Sequence, residues 1–387
     1  MEKVVVVMPA WNEGENIGRM IEELVKKEFP KINADMHLLV VDNYSKDDTQ
    51  KLVEEASKTY KNVHLIQQGK KSGLGWAYVI GMEYAVVRLG ADAVIEMDAD
   101  GQHPPDHVKR MVDAYLAGAD YVIGSRYVPG GSVPSEWALF RKAISYFGNL
   151  YIRLVWLKLK LHDATTGFRL TKVKGVLDQI ELNKLMALDR FAYKIHLLHD
   201  SLKIAKNVKE VPLKFASRIK EKSKFNIKEM ITSYKVATIL GLRDKQRFIK
   251  FGTVGFIGYL VNAFGLWFFA RNKFPEWAIW ATATELAIIN NFILNNIWTF
   301  KSEKIKGIGK LLYKFFQFNL TSAGALVIQT VFGTLGVKFF GPQSRQLLLP
   351  FIIVLLVLPY NYFMYNAVIW KTWKFPTFGK SKDKSPS

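Results

Sequence analysis

The chain has 387 residues, of which 49% are hydrophobic, and a formal net charge of +20. That length suggests two or three domains, and that charge suits nucleic acid, an anionic membrane face or a phosphorylated substrate. There is no cysteine, which excludes disulfides and thiolate metal sites.

Residues 1–9 hold an apolar run too short for a signal peptide, leading straight into Trp11-Asn12-Glu13, so the first domain is expected to stay where it was made. Up to about residue 244, short apolar runs alternate with amphipathic stretches. Strands are predicted over 4–9, 37–42, 63–67, 94–97 and 121–125, and helices over 16–27, 47–60, 75–89 and 105–117. This rhythm argues for a mostly parallel sheet covered on both faces, with ligands at the carboxyl ends of its strands. Trp11-Asn12-Glu13, Asp42 and Asp98-Ala99-Asp100 each follow such an end, so three acidic clusters are expected on one rim.

Asp98 and Asp100 are two apart at a strand end and project to one side. They would repel unless a cation sat between them, and oxygen ligands of this kind suit Mg²⁺ or Mn²⁺ shared with substrate phosphates. Gln102 adds a neutral oxygen, and Gly101 lets the backbone turn back towards the metal.

Residues 139–161 are amphipathic, with Arg141, Lys142, Arg153, Lys158 and Lys160 among aromatic and aliphatic residues. They suit a helix lying in the headgroup layer, and equally a helix facing the core. A strand is predicted over 208–215, then a basic loop over 217–225 that suits phosphate groups, then an amphipathic helix over 227–240.

Beyond residue 247 the character changes. Four apolar runs, 248–270, 277–300, 315–340 and 347–370, each exceed the roughly 20 residues that span a bilayer. Trp277, Trp298, Tyr313, Trp370 and Trp373 sit near their ends, where interfacial aromatic residues belong. The Lys-rich segments 301–314 and 371–384 mark the cytoplasmic side, which puts both termini and the first domain in the cytosol. Asn262, Glu285, Asn290, Asn291, Asn295 and Asn296 in these runs suit interhelical hydrogen bonding or a conduction path. Gly252, Gly255 and Gly258 would let a neighbouring helix approach closely.

Five stretches together resemble glycosyltransferase family 2, and within it the polyprenyl-phosphate sugar synthases of the dolichol-phosphate mannose synthase group. They are Val7-Met8-Pro9-Ala10-Trp11-Asn12-Glu13, Val40-Val41-Asp42-Asn43-Tyr44-Ser45-Lys46-Asp47-Asp48-Thr49, Met97-Asp98-Ala99-Asp100-Gly101-Gln102-His103-Pro104, Gly124-Ser125-Arg126-Tyr127 and Asp163-Ala164-Thr165-Thr166-Gly167-Phe168-Arg169. Lys250-Phe251-Gly252-Thr253-Val254-Gly255 and Asn295-Asn296-Ile297-Trp298-Thr299-Phe300 resemble a GtrA-like four-span module.

The resemblance implies an α/β GT-A (Rossmann-like) catalytic domain over 1–225, with interfacial amphipathic helices near 139–161. A linker helix over 226–246, an all-α four-helix transmembrane domain over 247–373 and a basic cytoplasmic tail over 374–387 complete the expected layout. It also implies site roles. Pro9, Trp11, Glu13, Val40 and Asp42 match positions that hold base and ribose. Asp98, Ala99, Asp100 and Gln102 match donor-binding positions, with Asp98, Asp100 and Gln102 on the metal. Arg126 matches a phosphate-binding residue, Arg141 and Ser145 would meet the lipid phosphate, and Arg218 and Lys224 would close over the diphosphate.

The expected reaction is inverting, metal-dependent transfer of mannose from GDP-mannose to dolichyl or another polyprenyl phosphate at the plasma membrane. Transfer from UDP-glucose is the alternative within the class, and a lipid-linked-sugar flippase with a non-catalytic soluble domain is the alternative outside it. Many relatives carry an acidic base before an Arg-Trp pair, where this chain has Thr165-Thr166-Gly167-Phe168-Arg169. A phosphate acceptor needs no base, because its second pKa is about 6. Nucleic acid is not expected as a partner, since the basic residues cluster beside apolar runs and no recognition motif is present.

Overall fold

A computed structural model describes residues 1–217, 227–271, 276–341, 351–369 and 372. The chain divides into two compact units, Met1–Arg243 and Asp244–Ser387.

The first unit is built on one seven-stranded sheet in the order β3-β2-β1-β4-β6-β5-β7. Its strands are β1 (Lys3–Ala10), β2 (Asp35–Asp42), β3 (Val63–Gln67), β4 (Ala93–Glu96), β5 (Tyr121–Ser125), β6 (Arg169–Lys172) and β7 (Val208–Pro212). β3, β2, β1 and β4 are parallel neighbours, and β5 and β7 pair in parallel. Only β6 runs antiparallel, against both β4 and β5. Sequence reasoning missed β6, and the composition explains why: Arg169-Leu170-Thr171-Lys172 holds one apolar residue in four and shows no alternation.

Period-two alternation along β1 divides the core into two layers. Val4, Val6 and Met8 face a layer with Ile17, Met20 and Ile21 of α1 (Gly14–Glu22), Val53 of α2 (Thr49–Thr59) and Met111 of α4 (Val108–Leu116). Val5 and Val7 face Ala77, Tyr78 and Met82 of α3 (Leu74–Val87) and Tyr193 and Leu197 of α6 (Tyr193–Ile204). α3 can approach closely because residue 81 is glycine: a Cβ there would run into Val7 and lie 2.9 Å from Val41 Cγ2. Gly81→Ala is therefore expected to lower stability by about 1–3 kcal/mol in urea unfolding. An unchanged midpoint would contradict this seating of the helix.

A third cluster joins Tyr121 and Ile123 of β5 to Ile152 and Trp156 of α5 (Leu139–Trp156) and to Val236, Ala237 and Leu240 of α7 (Ile227–Asp244). The opposite face of α5 carries Leu139, Phe140, Tyr146, Phe147 and Leu154, all exposed. The helix thus serves the core along one stripe and leaves an apolar stripe uncovered.

The second unit is helical: α8 (Gln246–Arg271), α9 (Glu276–Leu294), α10 (Ile308–Phe340) and the segment Leu358–Met364 with π-helical flanks. Phe251, Phe292, Phe300, Phe318, Tyr365 and Ile369 form its main cluster. A Cβ on Gly258 would collide with the Asn291 side chain, so that glycine does give way to a neighbouring helix. The predicted run 277–300 is not one α-helix, since it changes at Asn295 into a π-helical turn, Asn295–Thr299, with Asn295, Asn296 and Thr299 buried. Among the described residues no helix is long and apolar enough to cross a membrane. Of the predicted runs, 347–350 and 370 lie outside the described residues, as do 272–275, 342–346 and 371 between or beside the runs and the tail 373–387.

Candidate active site

The sheet reverses its strand order between β1 and β4, and a crevice opens beyond the carboxyl ends of strands at such a point. A cleft of about 350 Å³ lies there, with Pro9, Ala10 and Trp11 after β1 and Asp98, Ala99 and Asp100 after β4. Glu13, Gln102, Arg126 and Arg141 also line it. Of the three acidic clusters expected on this rim, two supply carboxylates to the cleft. Asp42 instead accepts the Ser45 N–H at 3.3 Å, and its neighbour Asn43 reaches the cleft.

Asn12 sits in the left-handed region, φ 55, and ties the first loop to the second: its N–H donates to Ser45 Oγ and its Oδ1 accepts the Lys46 N–H. Trp11 stays exposed, and the Lys71 ammonium lies 2.8 Å from its ring centroid. Glu13 accepts a hydrogen bond from Asn16 Nδ2 at 3.1 Å. Val40 does not line the cleft. It is a buried residue in the middle of β2, packed in the first core layer, because side chains alternate along the strand.

The two aspartates differ in surroundings. Asp98 Oδ1 accepts from the Tyr78 hydroxyl at 2.6 Å and from Lys194 Nζ at 3.2 Å. Its backbone N–H donates to His103 Nδ1 at 3.0 Å. Burial pushes the Asp98 pKa up, but Lys194, His103 and the Tyr78 hydroxyl outweigh it and hold the carboxyl below its ordinary range. Burial pushes His103 down to about 4 against the pull of Asp98, so the imidazole is neutral near pH 7 and free to accept that N–H. Asp100 accepts the Gln102 N–H at 3.0 Å across Gly101, whose φ of 75 makes the turn that glycine permits.

These residues fit a hard divalent cation. Asp98 Oδ2 is not bonded to Tyr78 or Lys194, and Asp98, Asp100 and Gln102 line one cleft wall. Among the described residues no three acidic or histidine groups converge on one point. Mg²⁺ and Mn²⁺ are commonly held by one or two carboxylates together with substrate phosphates and waters.

Beneath the aspartates lies a buried set of charges that sequence reasoning did not connect. Lys194 of α6 and Arg169 of β6 are both fully buried. Glu96, the last residue of β4, pairs across the sheet with Arg169 and accepts from the Tyr193 hydroxyl at 2.8 Å. Burial raises the Glu96 pKa, and its Oε2 makes no hydrogen bond among the described residues. A glutamate inside an apolar strand was the one legible sign of this network.

Gly167 explains part of the altered motif at 165–169. Its carbonyl accepts from Lys194 Nζ at 3.1 Å, and a Cβ there would lie 2.6 Å from that nitrogen and 3.3 Å from Asp98 Oδ2. Gly167→Ala is expected to reduce turnover by about 10- to 100-fold, because misplacing a cleft group by about 1 Å can cost up to about 10²-fold. A variant with wild-type turnover would show that Lys194 need not sit there.

On the other side of the cleft, Arg126 is buried and grips Asp163: Nε to Oδ2 at 2.7 Å and Nη2 to Oδ1 at 2.8 Å. Its Nη2 also donates to Thr165 Oγ1 at 2.6 Å, while Nη1 makes no hydrogen bond among the described residues. Burial works against the charge on each member, but the pairing keeps Asp163 below the usual carboxylate range and Arg126 above its own. The arginine expected to meet phosphate is thus largely committed to a carboxylate. Arg141, in the first turn of α5, lies 3.7 Å from the Trp137 ring centroid. Ser145, one turn later, accepts the Tyr127 hydroxyl at 2.6 Å. Arg218 and Lys224 lie outside the described residues.

The sequence comparisons agree with this geometry. The glycosyl transferase family 2 domain matches residues 5–178, and the GtrA/DPMS transmembrane domain matches residues 250–370. A dolichol-phosphate mannosyltransferase from Pyrococcus furiosus is 34% identical over 326 residues, covering 83% of this chain and 88% of that one. The chain belongs to glycosyltransferase family 2. Two further relatives are a polyprenol monophosphomannose synthase from Mycolicibacterium smegmatis and an undecaprenyl-phosphate mannosyltransferase from Micrococcus luteus. The first is 36% identical over 252 residues, 64% of this chain and 91% of that one. The second is 33% identical over 224 residues, 58% of this chain and 88% of that one. In this chain a family 2 domain is joined to a domain that matches the GtrA/DPMS transmembrane type.

Proposed function

We propose that the chain transfers mannose from GDP-mannose to a polyprenyl phosphate, dolichyl phosphate among them, with inversion at the anomeric carbon. The observation that carries this reading is one cleft lined by Asp98, Asp100, Arg126 and Arg141. Carboxylates for a cation and the Arg141 guanidinium for a phosphate thus line the same space, with Arg126 largely held by Asp163. The choice of mannose and of a polyprenyl acceptor rests on the names of the three relatives.

Trp11, stacked under Lys71, offers a flat face for the nucleobase at the β1 end of the cleft. Asp98, Asp100 and Gln102 would hold a divalent cation, which when bound neutralises charge on the leaving diphosphate. Arg141 and Ser145 sit on one face of α5, four residues apart, and would bind the acceptor phosphate. An oxygen of that phosphate attacks the anomeric carbon as the bond to the donor's β-phosphate oxygen breaks. The attacking group is already largely a dianion above about pH 6, so the cleft has only to orient it and needs no general base. The exposed apolar face of α5 would rest in the lipid surface and bring the polyprenyl headgroup to Arg141. The second unit would cross the membrane four times, with the catalytic unit and both termini cytosolic, and serve as an anchor.

The test is turnover of the purified full-length protein with a short polyprenyl phosphate and Mn²⁺, offering GDP-mannose and UDP-glucose separately. A marked preference for GDP-mannose is expected. A preference for UDP-glucose would overturn the donor assignment, and no transfer from either would overturn the enzyme reading.

A further inference from the structure

A lysine with no solvent access, placed against an aspartate of a metal site, is an unusual arrangement, since buried lysines must be paired. Lys194 Nζ lies 3.2 Å from Asp98 Oδ1, 3.1 Å from the Gly167 carbonyl and 4.2 Å from the Tyr78 ring centroid. Its own carbonyl accepts Arg169 Nη1, which fixes the start of α6 against β6. The ammonium can neither swing out nor be screened by salt, because its surroundings are protein.

We propose that Lys194 is a resident counter-cation of the site, compensating Asp98 while the nucleotide is absent so that a divalent ion enters with the donor diphosphate rather than ahead of it. This rests on reading Asp98 and Asp100 as cation ligands. Two neighbouring carboxylates alone would draw a divalent ion strongly. A fixed positive charge in contact with one of them removes much of that attraction, by about tenfold or more in affinity in a partly buried site. A nucleoside diphosphate restores it by bringing its own negative charges. The same ammonium would ease release of the spent nucleotide together with its ion, since neither holds well alone.

The experiment is Mn²⁺ titration, followed by electron paramagnetic resonance, on the purified full-length protein with and without GDP, with UDP as a parallel arm. Wild type should bind Mn²⁺ at least about tenfold more weakly alone than with nucleotide. Lys194→Gln, which keeps a donor but drops the charge, should tighten binding of Mn²⁺ alone at least about fivefold, and Lys194→Arg should restore the wild-type value. Simple damage to the cleft would weaken Mn²⁺ binding, so the direction of the change separates the two explanations. Unchanged or weaker binding in a folded Lys194→Gln protein overturns the proposal. So does a wild-type affinity that is the same with and without nucleotide, a result that stands even if no charge-free variant folds. No Mn²⁺ binding even with nucleotide would sink the metal reading itself, which is a distinguishable result.

Discussion

Asp100→Asn is expected to lower turnover by about 10³-fold while leaving the thermal midpoint within a few degrees of wild type. Removing one preorganised stabiliser of a developing charge typically lowers turnover by about 10²–10³-fold, and a lost metal ligand belongs at the upper end. The substitution is gentle on the fold, because asparagine keeps the carbonyl oxygen that accepts the Gln102 N–H at 3.0 Å. Asp98→Asn should lower both activity and stability, since it leaves the buried ammonium of Lys194 facing an amide. The contrast between the two variants is the informative part. Asp100→Asn retaining more than a tenth of wild-type turnover in steady-state assays would remove the metal-site reading.

Arg126→Met is expected to destabilise the catalytic unit by about 3–5 kcal/mol, because it strands the fully buried Asp163 without its counter-charge. In calorimetry that corresponds to a midpoint lowered by roughly 10 °C for a unit of this size. Arg126→Lys should recover only part, since a lysine cannot span both carboxylate oxygens and Thr165 Oγ1. Pairing Arg126→Met with Asp163→Leu should restore most of the stability but not the activity, because the cleft then keeps only the Arg141 guanidinium. Recovery of both would show that Arg126 only supports the fold and takes no part in binding the acceptor.

The legibility of this fold follows from where its charges sit. The five strands β1 to β5 carry continuous apolar runs, and their loops carry Trp11, Glu13, Asp98 and Asp100, so periodicity and strand-end position were enough to find the rim of the sheet. β6 escaped because Arg169 and Lys172 occupy strand positions that look like surface. α6 escaped for the same reason: Lys194, His196 and His199 are polar in sequence yet buried in the structure. Long-range pairing explains the rest. Lys194 lies 96 residues from Asp98 and Asp163 lies 37 from Arg126, so neither ion pair leaves a local pattern to read. Val40 shows the opposite failure, a motif position whose side chain the strand alternation turns into the core.

In the second unit the apolar runs were plain, but their continuity was not. The turn at Asn295 is set by buried polar groups, with Asn296 Oδ1 accepting the Ile305 N–H at 2.8 Å. Composition counts such residues as isolated interruptions and cannot show that they cap a bend.

The most direct test of the whole account is formation of mannosyl lipid from labelled GDP-mannose by the purified protein, before and after EDTA, with Mn²⁺ then restored. Chelation should abolish product and Mn²⁺ should return it. Undiminished synthesis in EDTA would contradict the claim that a cation on Asp98 and Asp100 carries the departing diphosphate.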